Sequence, residues 1–290
     1  MAVFRCIFRF ILVAWLRLWR FVKRHTGTNP IGLGFALRLC WFDFQFRAGD
    51  RLFFFDHDIA SSYCLLPAGL WNEPETHLFL YRALPGISEP IIFVDVGASV
   101  GEFVLDMAGH PNVCEVFAFE PQSHAVQAIR KSLDLNSFRH VHVIQSAVSS
   151  EVGAAYFEAI DRRLTAAHVS ACSEGALPVR CTSLDAELEN IASPTVMLID
   201  VEGHELDVLR GAVGVIRRTK PLIIFEYNGT TRQCFDLSEA VVLLGKEYRF
   251  YRLRGDGLLD KDFTNTWNCV AVPAGPTFQH LNEMIVEESL

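Results

Sequence analysis

From residue 91 onward, short apolar runs alternate with amphipathic stretches, and this rhythm restricts the chain to an α/β architecture. Ile91-Ile92-Phe93-Val94-Asp95-Val96 is apolar at nearly every position, as a strand covered on both faces must be. The pattern then predicts helix over 102–108, strand over 115–119, helix over 123–135 and strand over 141–144. Residues 151–182 break the rhythm and read as an irregular or hairpin insertion. A short helix over 183–190, opened by Ser183 as N-cap, and a strand over 196–199 restore it. Leu206, Leu209, Val213 and Ile216 mark the core stripe of one helix over 204–217. A strand over 222–227, a helix near 237–245 and late strands over 249–253 and 267–272 follow. The expected fold is an open, mostly parallel, seven-stranded sheet with helices on both faces. Ahead of it, residues 35–90 are mixed, with a strand over 51–55 and a helix over 75–84 closed by Pro85-Gly86. The expected units are a helix over 1–28, a cap or substrate region over 29–90, the core over 91–275 and a tail over 276–290.

Charge is distributed unevenly. Arg5, Arg9, Arg17, Arg20, Lys23, Arg24 and Arg38 meet no acid within residues 1–42, so +7 there leaves −15 on the rest of a chain whose net charge is −8. An acidic body argues against nucleic-acid binding, which calls for a basic face. With 50% hydrophobic and 21% charged residues the chain is not a disordered polyampholyte. Its eight cysteines include no CxxC pair, which suits thiols in a reducing, cytoplasmic compartment.

At 100° per residue the basic side chains of residues 3–24 share a sector of roughly 120°, opposite phenylalanine, isoleucine, leucine, valine and tryptophan. The longest uncharged run, Phe10 to Leu16, is far short of the ~20 residues that span a bilayer. No small-residue cleavage site follows it, so a signal peptide is not expected. Two readings stand: a helix lying on an anionic membrane with its tryptophans at headgroup depth, or a helix docked on the acidic body. Asn29, Pro30, Gly32 and Gly34 suit a hinge behind it.

Ligands on such sheets bind at the carboxyl ends of the strands. The first strand runs into Asp95-Val96-Gly97-Ala98-Ser99-Val100-Gly101, where glycines permit a tight turn and close approach of a ligand. A dinucleotide fingerprint would place glycines at 97, 99 and 102, but Ser99 and Glu102 stand there, and Glu102 would repel a pyrophosphate. The pattern suits a phosphate-free ligand with an amino-acid part, such as S-adenosylmethionine; it also suits a plain strand–helix turn. Glu120 ends the next strand, positioned to accept hydrogen bonds from ribose hydroxyls, and Pro121 opens the following helix. The densest polar cluster is Asp200-Val201-Glu202-Gly203-His204-Glu205, beside the same cleft. Capping of the next helix explains one of its acids but not three acids and a histidine. Glu226 and Asn228 end the fifth strand nearby, whereas His57, His110 and His140 have no such company.

DVGASVG (95–101), AFEP (118–121), IDVEGHELDVLRG (199–211) and PLIIFE (221–226), in that order, resemble the FkbM family of S-adenosylmethionine-dependent methyltransferases. The likeness covers roughly residues 71–227 and extends weakly to Asn72-Glu73-Pro74-Glu75-Thr76. It implies a class I, Rossmann-like methyltransferase fold and O-methylation of a hydroxyl on a sugar, glycolipid or other natural product. It implies cofactor contacts at Asp95, Gly97, Ala98, Ser99 and Gly101, at Glu120 and Pro121, and at Ala147 and Asp200. Acceptor contacts fall to Glu73, Glu226 and Asn228. Ser99 stands where the family usually has asparagine, and Leu198 where a lysine usually precedes IDVEG. His204 is the leading catalytic base, with Asp200 and Glu202 as alternatives; Asp200, Glu202 and Glu226 also suit a magnesium-like ion. Two other classes remain: a nicotinamide-dependent oxidoreductase, opposed by Ser99 and Glu102, and a non-catalytic membrane-associated binding protein, opposed by the retained carboxylates.

Overall fold

The N-terminal stretch forms α1 (Ala2–Thr26) in a computed structural model that describes residues 2–26, 37–157, 169–170 and 177–286. A hairpin of β1 (Phe44–Ala48) and β2 (Arg51–Phe55) follows, with Phe44 stacked on Phe55 and Phe46 on Phe53. Only the second of these strands is expected from sequence. Next come α2 (Pro74–Ala83), with proline in its first turn, β3 (Ile91–Val96), α3 (Glu102–Ala108), β4 (Val113–Phe119), α4 (Ser123–Asn136) and β5 (Val141–Ile144). The 151–182 segment contributes β7 (Gly153–Phe157), β8 (Val169–Ser170) and β9 (Leu177–Thr182). They pair with β6 (Ala147–Val148) in a small sheet of order β6-β9-β7-β8.

Ser183 Oγ accepts from the Ala186 N–H and opens α5 (Leu184–Glu187), ahead of β10 (Thr195–Ile199). The single helix expected over 204–217 is instead two, α6 (Glu205–Arg210) and α7 (Val213–Thr219). Gly211 lies at the break, where a Cβ would sit 2.0 Å from the Ser149 carbonyl oxygen. The Asp185 carboxylate accepts from Gly214 N (2.9 Å) and Val215 N (2.7 Å), so α7 takes its N-terminal cap from a distant residue. The chain closes with β11 (Leu222–Glu226), α8 (Leu237–Leu244) behind an Asp236/Glu239 capping box, β12 (Tyr248–Leu253), β13 (Leu259–Asp260) and β14 (Asn268–Pro273).

The main sheet has order β13-β12-β14-β11-β10-β3-β4-β5. This corrects the expected seven mostly parallel strands to eight in a mixed sheet. β11, β10, β3, β4 and β5 run parallel, while β14, β12 and β13 join by antiparallel pairing. No crossover helix separates the last three strands, and parallel pairing requires one. One sheet face packs Phe93, Val116, Leu198 and Ile224 with α3, α4 and the phenylalanine hairpin. The other packs Val94, Met197, Ile199 and Phe225 with Leu206, Leu209, Val215 and Ile216. Phe278, Leu281 and Met284 of the C-terminal segment are buried in the first of these cores.

The chain winds outward from β3 to β5 on one side and from β10 to β11 on the other. The crevice therefore opens between β3 and β10, at their carboxyl ends.

Helix α1 docks on the body through buried Leu12, Leu16 and Trp19. Arg20 donates to the Trp71 carbonyl (2.9 Å), and the Arg5 and Arg9 guanidinium groups lie over Phe42 and Phe44. Trp19 thus faces inward, a correction to its expected placement at headgroup depth, because the packed sector and the basic sector adjoin. The outward stripe is Val3, Phe4, Ile7, Phe10, Ile11, Leu18 and Phe21, with exposed Trp41 against Phe4. Among the described residues no helix is long and apolar enough to cross a membrane. The expected hinge over 29–34 and Cys172 lie outside the described residues; the seven described cysteines are free thiols.

Candidate active site

The β3–α3 turn is built around glycine. Gly97 has φ +92°, and a Cβ there would lie 1.8 Å from the Asp200 carbonyl oxygen, so any side chain would force β3 and β10 apart. Gly101, at φ +84°, is the N-cap of α3. The Glu120 carboxylate accepts from Ser99 N (2.8 Å) and Gln122 N (2.9 Å), tying the turn to the end of β4. Each oxygen keeps a further acceptor direction for a ligand hydroxyl. Burial pushes Glu120 up to about 7 against those hydrogen bonds. Burial, then the charges of Glu73, Glu120 and Glu102, push Asp95 up to about 8.

Asp95, Gly97, Ala98, Ser99, Glu120, Pro121 and Ala147 line one cleft together with Glu73, Asp200, Glu202 and His204. Gly101, Glu226 and Asn228 stand outside that lining. Parallel register places Ile199 beside Val96 and Phe225, so Asp200 follows directly at the crevice with Glu226 alongside. Burial, then Glu226, Glu73, Glu202 and Glu205, hold Asp200 well above the usual carboxylate range. Burial, then Glu202, Glu205 and Glu73, push Glu226 up to about 8, and burial with Glu102 pushes Glu73 up to about 7. Asn228 donates to Glu226 (2.6 Å) and accepts from Thr230 N and Thr231 N, capping the turn after β11. Glu202 adopts φ +55°, uncommon for a residue with a side chain, and turns the loop into α6.

His204 is the N-cap residue of α6. Its Nε2 is hydrogen-bonded to Ser149 Oγ (2.8 Å) and its Nδ1 lies 3.5 Å from Asp207. Of the other histidines, His57 pairs with Asp43, His140 contacts the Ala108 carbonyl, and His110 is buried.

Sequence reasoning missed a second layer beneath the cleft. His77 lies between the rings of Trp71 and Phe103 at 4.1 and 4.4 Å, with Nδ1 2.6 Å from Asp106 and Nε2 3.1 Å from Glu102. Glu102 also accepts from Asn72 N (2.8 Å) and Asn72 Nδ2, and both Asn72 and Glu102 line the cleft. The available signal was four-residue spacing: Glu73 at the N-cap of α2 and His77 within it, Glu102 and Asp106 on α3. The cleft is thus dominated by carboxylates. It favours ligands carrying positive charge or hydroxyl donors and disfavours phosphates.

Residues 95–253, more than half of the chain, match the Methyltransferase FkbM domain. The chain belongs to this family. The FkbM match runs from Asp95 to the end of β12 and so includes the glycine turn, Glu120, the Asp200–Glu205 loop and Glu226. The Hexuronic acid methyltransferase AglP of Haloferax volcanii is 28% identical over 138 residues, 47% of this chain. Those residues are 56% of that relative, so the chain spans about half the length of the curated protein it matches. Among solved structures, an FkbM methyltransferase from Methylobacillus flagellatus is 18% identical, with a TM-score of 0.45 over 75% of this chain and 55% of that one. A methyltransferase from Streptococcus mutans in complex with SAH is 10% identical, with a TM-score of 0.41 over 70% and 99%.

Proposed function

We propose that the protein transfers the methyl group of S-adenosylmethionine to a hydroxyl of a sugar, glycolipid or similar polyhydroxylated acceptor. The observation that carries this reading is the union, in one cleft, of the glycine turn with Glu120 and a carboxylate wall of Glu73, Asp200 and Glu202. A sulfonium and an amino group both carry positive charge, which such a cleft attracts. Carboxylates also accept hydrogen bonds from vicinal hydroxyls. The curated relative's activity on a hexuronic acid agrees with a sugar acceptor.

The sulfonium already activates the methyl carbon, so the protein's tasks are in-line placement of the acceptor oxygen and removal of its proton. His204 Nε2 is the proton acceptor in this reading, with Ser149 as the partner it exchanges for the acceptor hydroxyl. Calorimetry with S-adenosylmethionine and with NADH is the test. Binding of the first alone is expected; binding of NADH alone would replace the reading with an oxidoreductase. Mass spectrometry of ligand co-purified with the protein would identify the acceptor class.

We also infer that α1 attaches the protein peripherally to an anionic membrane surface. Its apolar stripe stays exposed although the helix is docked, and Arg9, Arg17 and Arg24 are exposed on the same helix. The rest of the chain carries a net negative charge, so the basic helix is the segment drawn to such a bilayer. Vesicle sedimentation at several fractions of anionic lipid tests it. Full-length protein is expected to sediment in proportion to anionic lipid, and a Phe10→Asp/Phe21→Asp variant to stay in solution. Equal behaviour of the two, or dimerisation through the stripe, would overturn the inference.

A further inference from the structure

Three carboxylates converge behind the cleft wall from three separate elements. Asp200 follows β10, Glu226 ends the neighbouring parallel strand β11, and Glu205 begins α6. One oxygen of each lies within 4.8 Å of the others. Glu205 Oε1 accepts from Val201 N and Gly203 N, both at 3.1 Å, so the loop itself orients this side chain. Its Oε2 and the Asp200 Oδ1 are buried and have no hydrogen-bond partner among the described residues. Glu205 is fully buried. Every donor that reaches the three side chains among the described residues is neutral: backbone N–H groups, the Asn228 amide and the Thr231 hydroxyl. Buried acceptors left without donors, in a group of like charges, mark a place built for something cationic.

We propose that Asp200, Glu205 and Glu226 together hold one hard divalent cation of the magnesium, manganese or calcium class. An all-oxygen carboxylate set selects such ions over zinc or copper, which take nitrogen and sulfur readily. Asn228 and Thr231, bonded to Glu226, fix the direction of that ligand as outer-shell partners do. Glu205 replaces Glu202 in the ion site expected from sequence, because the left-handed turn at Glu202 and Gly203 carries the first residue of α6 inward. Asp200 lines the cleft whereas Glu205 and Glu226 stand behind it, so the ion lies at the cleft floor. Resting on the methyl-transfer reading, its open coordination positions would take hydroxyl oxygens of the acceptor.

The test uses full-length protein freed of metal by chelator and titrated with Mn²⁺, following free Mn²⁺ by electron paramagnetic resonance. One Mn²⁺ per chain is expected, competed by Mg²⁺ or Ca²⁺. Glu205→Gln and Glu226→Gln should each weaken Mn²⁺ binding by at least about tenfold. Glutamine still accepts from Val201 and Gly203, and thermal unfolding verifies the fold. Mn²⁺ should raise the Tm of the native protein and of neither variant. Stoichiometric binding that both variants retain, or no binding by the native protein, overturns the site. S-adenosylmethionine affinity measured on the same samples separates the two readings. Mn²⁺ binding without cofactor binding would remove methyl transfer and leave the ion site standing.

Discussion

Single carboxylates and single glycines carry much of the chemistry here. Glu120 both closes the β3–α3 turn through Ser99 and presents free acceptor directions to the cleft. Glu120→Ala should therefore weaken S-adenosylmethionine by about 1–3 kcal/mol, measured calorimetrically. Glu120→Gln should lose less, because it can still accept from Ser99. A Glu120→Ala protein with native affinity would remove this residue from the cofactor site. His204 makes a different prediction, since it contacts Ser149 rather than the glycine turn. His204→Ala should lower turnover by about 10²–10⁴-fold and leave cofactor affinity nearly unchanged. Turnover within a few-fold of native would assign the proton to another group.

At the scale of elements, the strands of the parallel core were legible because each is an apolar run bounded by turn residues. Positions at the strand ends followed from that: Asp95, Glu120, Asp200 and Glu226 all lie at or beside the carboxyl ends of strands. What stayed hidden depends on pairs far apart in sequence. The break between α6 and α7 arises from Ser149 and Asp185, and nothing in the periodicity of residues 204–217 reports either. The His77 layer joins residues 25 and 29 positions apart, on two helices whose packing no local pattern reveals. Glu205 reads as an ordinary acid in a first helical turn until the loop folds it inward. Asp185 gives the element-scale prediction. Asp185→Ala leaves two N–H groups of α7 without their acceptor and should destabilise the fold by about 1–2 kcal/mol in urea unfolding. Asp185→Asn should recover most of that loss; equal destabilisation by both would point to charge rather than capping.

At the scale of the molecule, the buried His77 layer couples stability to pH. Burial works against its proton, but hydrogen bonds to Asp106 and Glu102 outweigh it and push the ring up to about 9. A folded value above the unfolded one, near 6.5, means the proton stabilises the native state fully below pH ~6.5. That contribution fades as pH rises through about 9. Unfolding of native and His77→Gln protein, compared across pH 6 to 9.5, should show a stability difference that shrinks toward the alkaline end. A difference independent of pH would mean that the ring acts through packing between Trp71 and Phe103 alone.

Helix α1 docks close to the cleft. Arg20 holds the carbonyl of Trp71, and the next residue, Asn72, is bonded to Glu102 in the cleft wall. Through these contacts α1 and the cleft wall are joined directly. If α1 attaches to a bilayer as proposed, this geometry would keep the cleft close to the membrane surface and confine the search for an acceptor to two dimensions. With all of the enzyme bound, turnover on acceptors embedded in vesicles would then follow their number per unit area. Acceptors held far from the membrane surface would then be methylated less than those embedded in it.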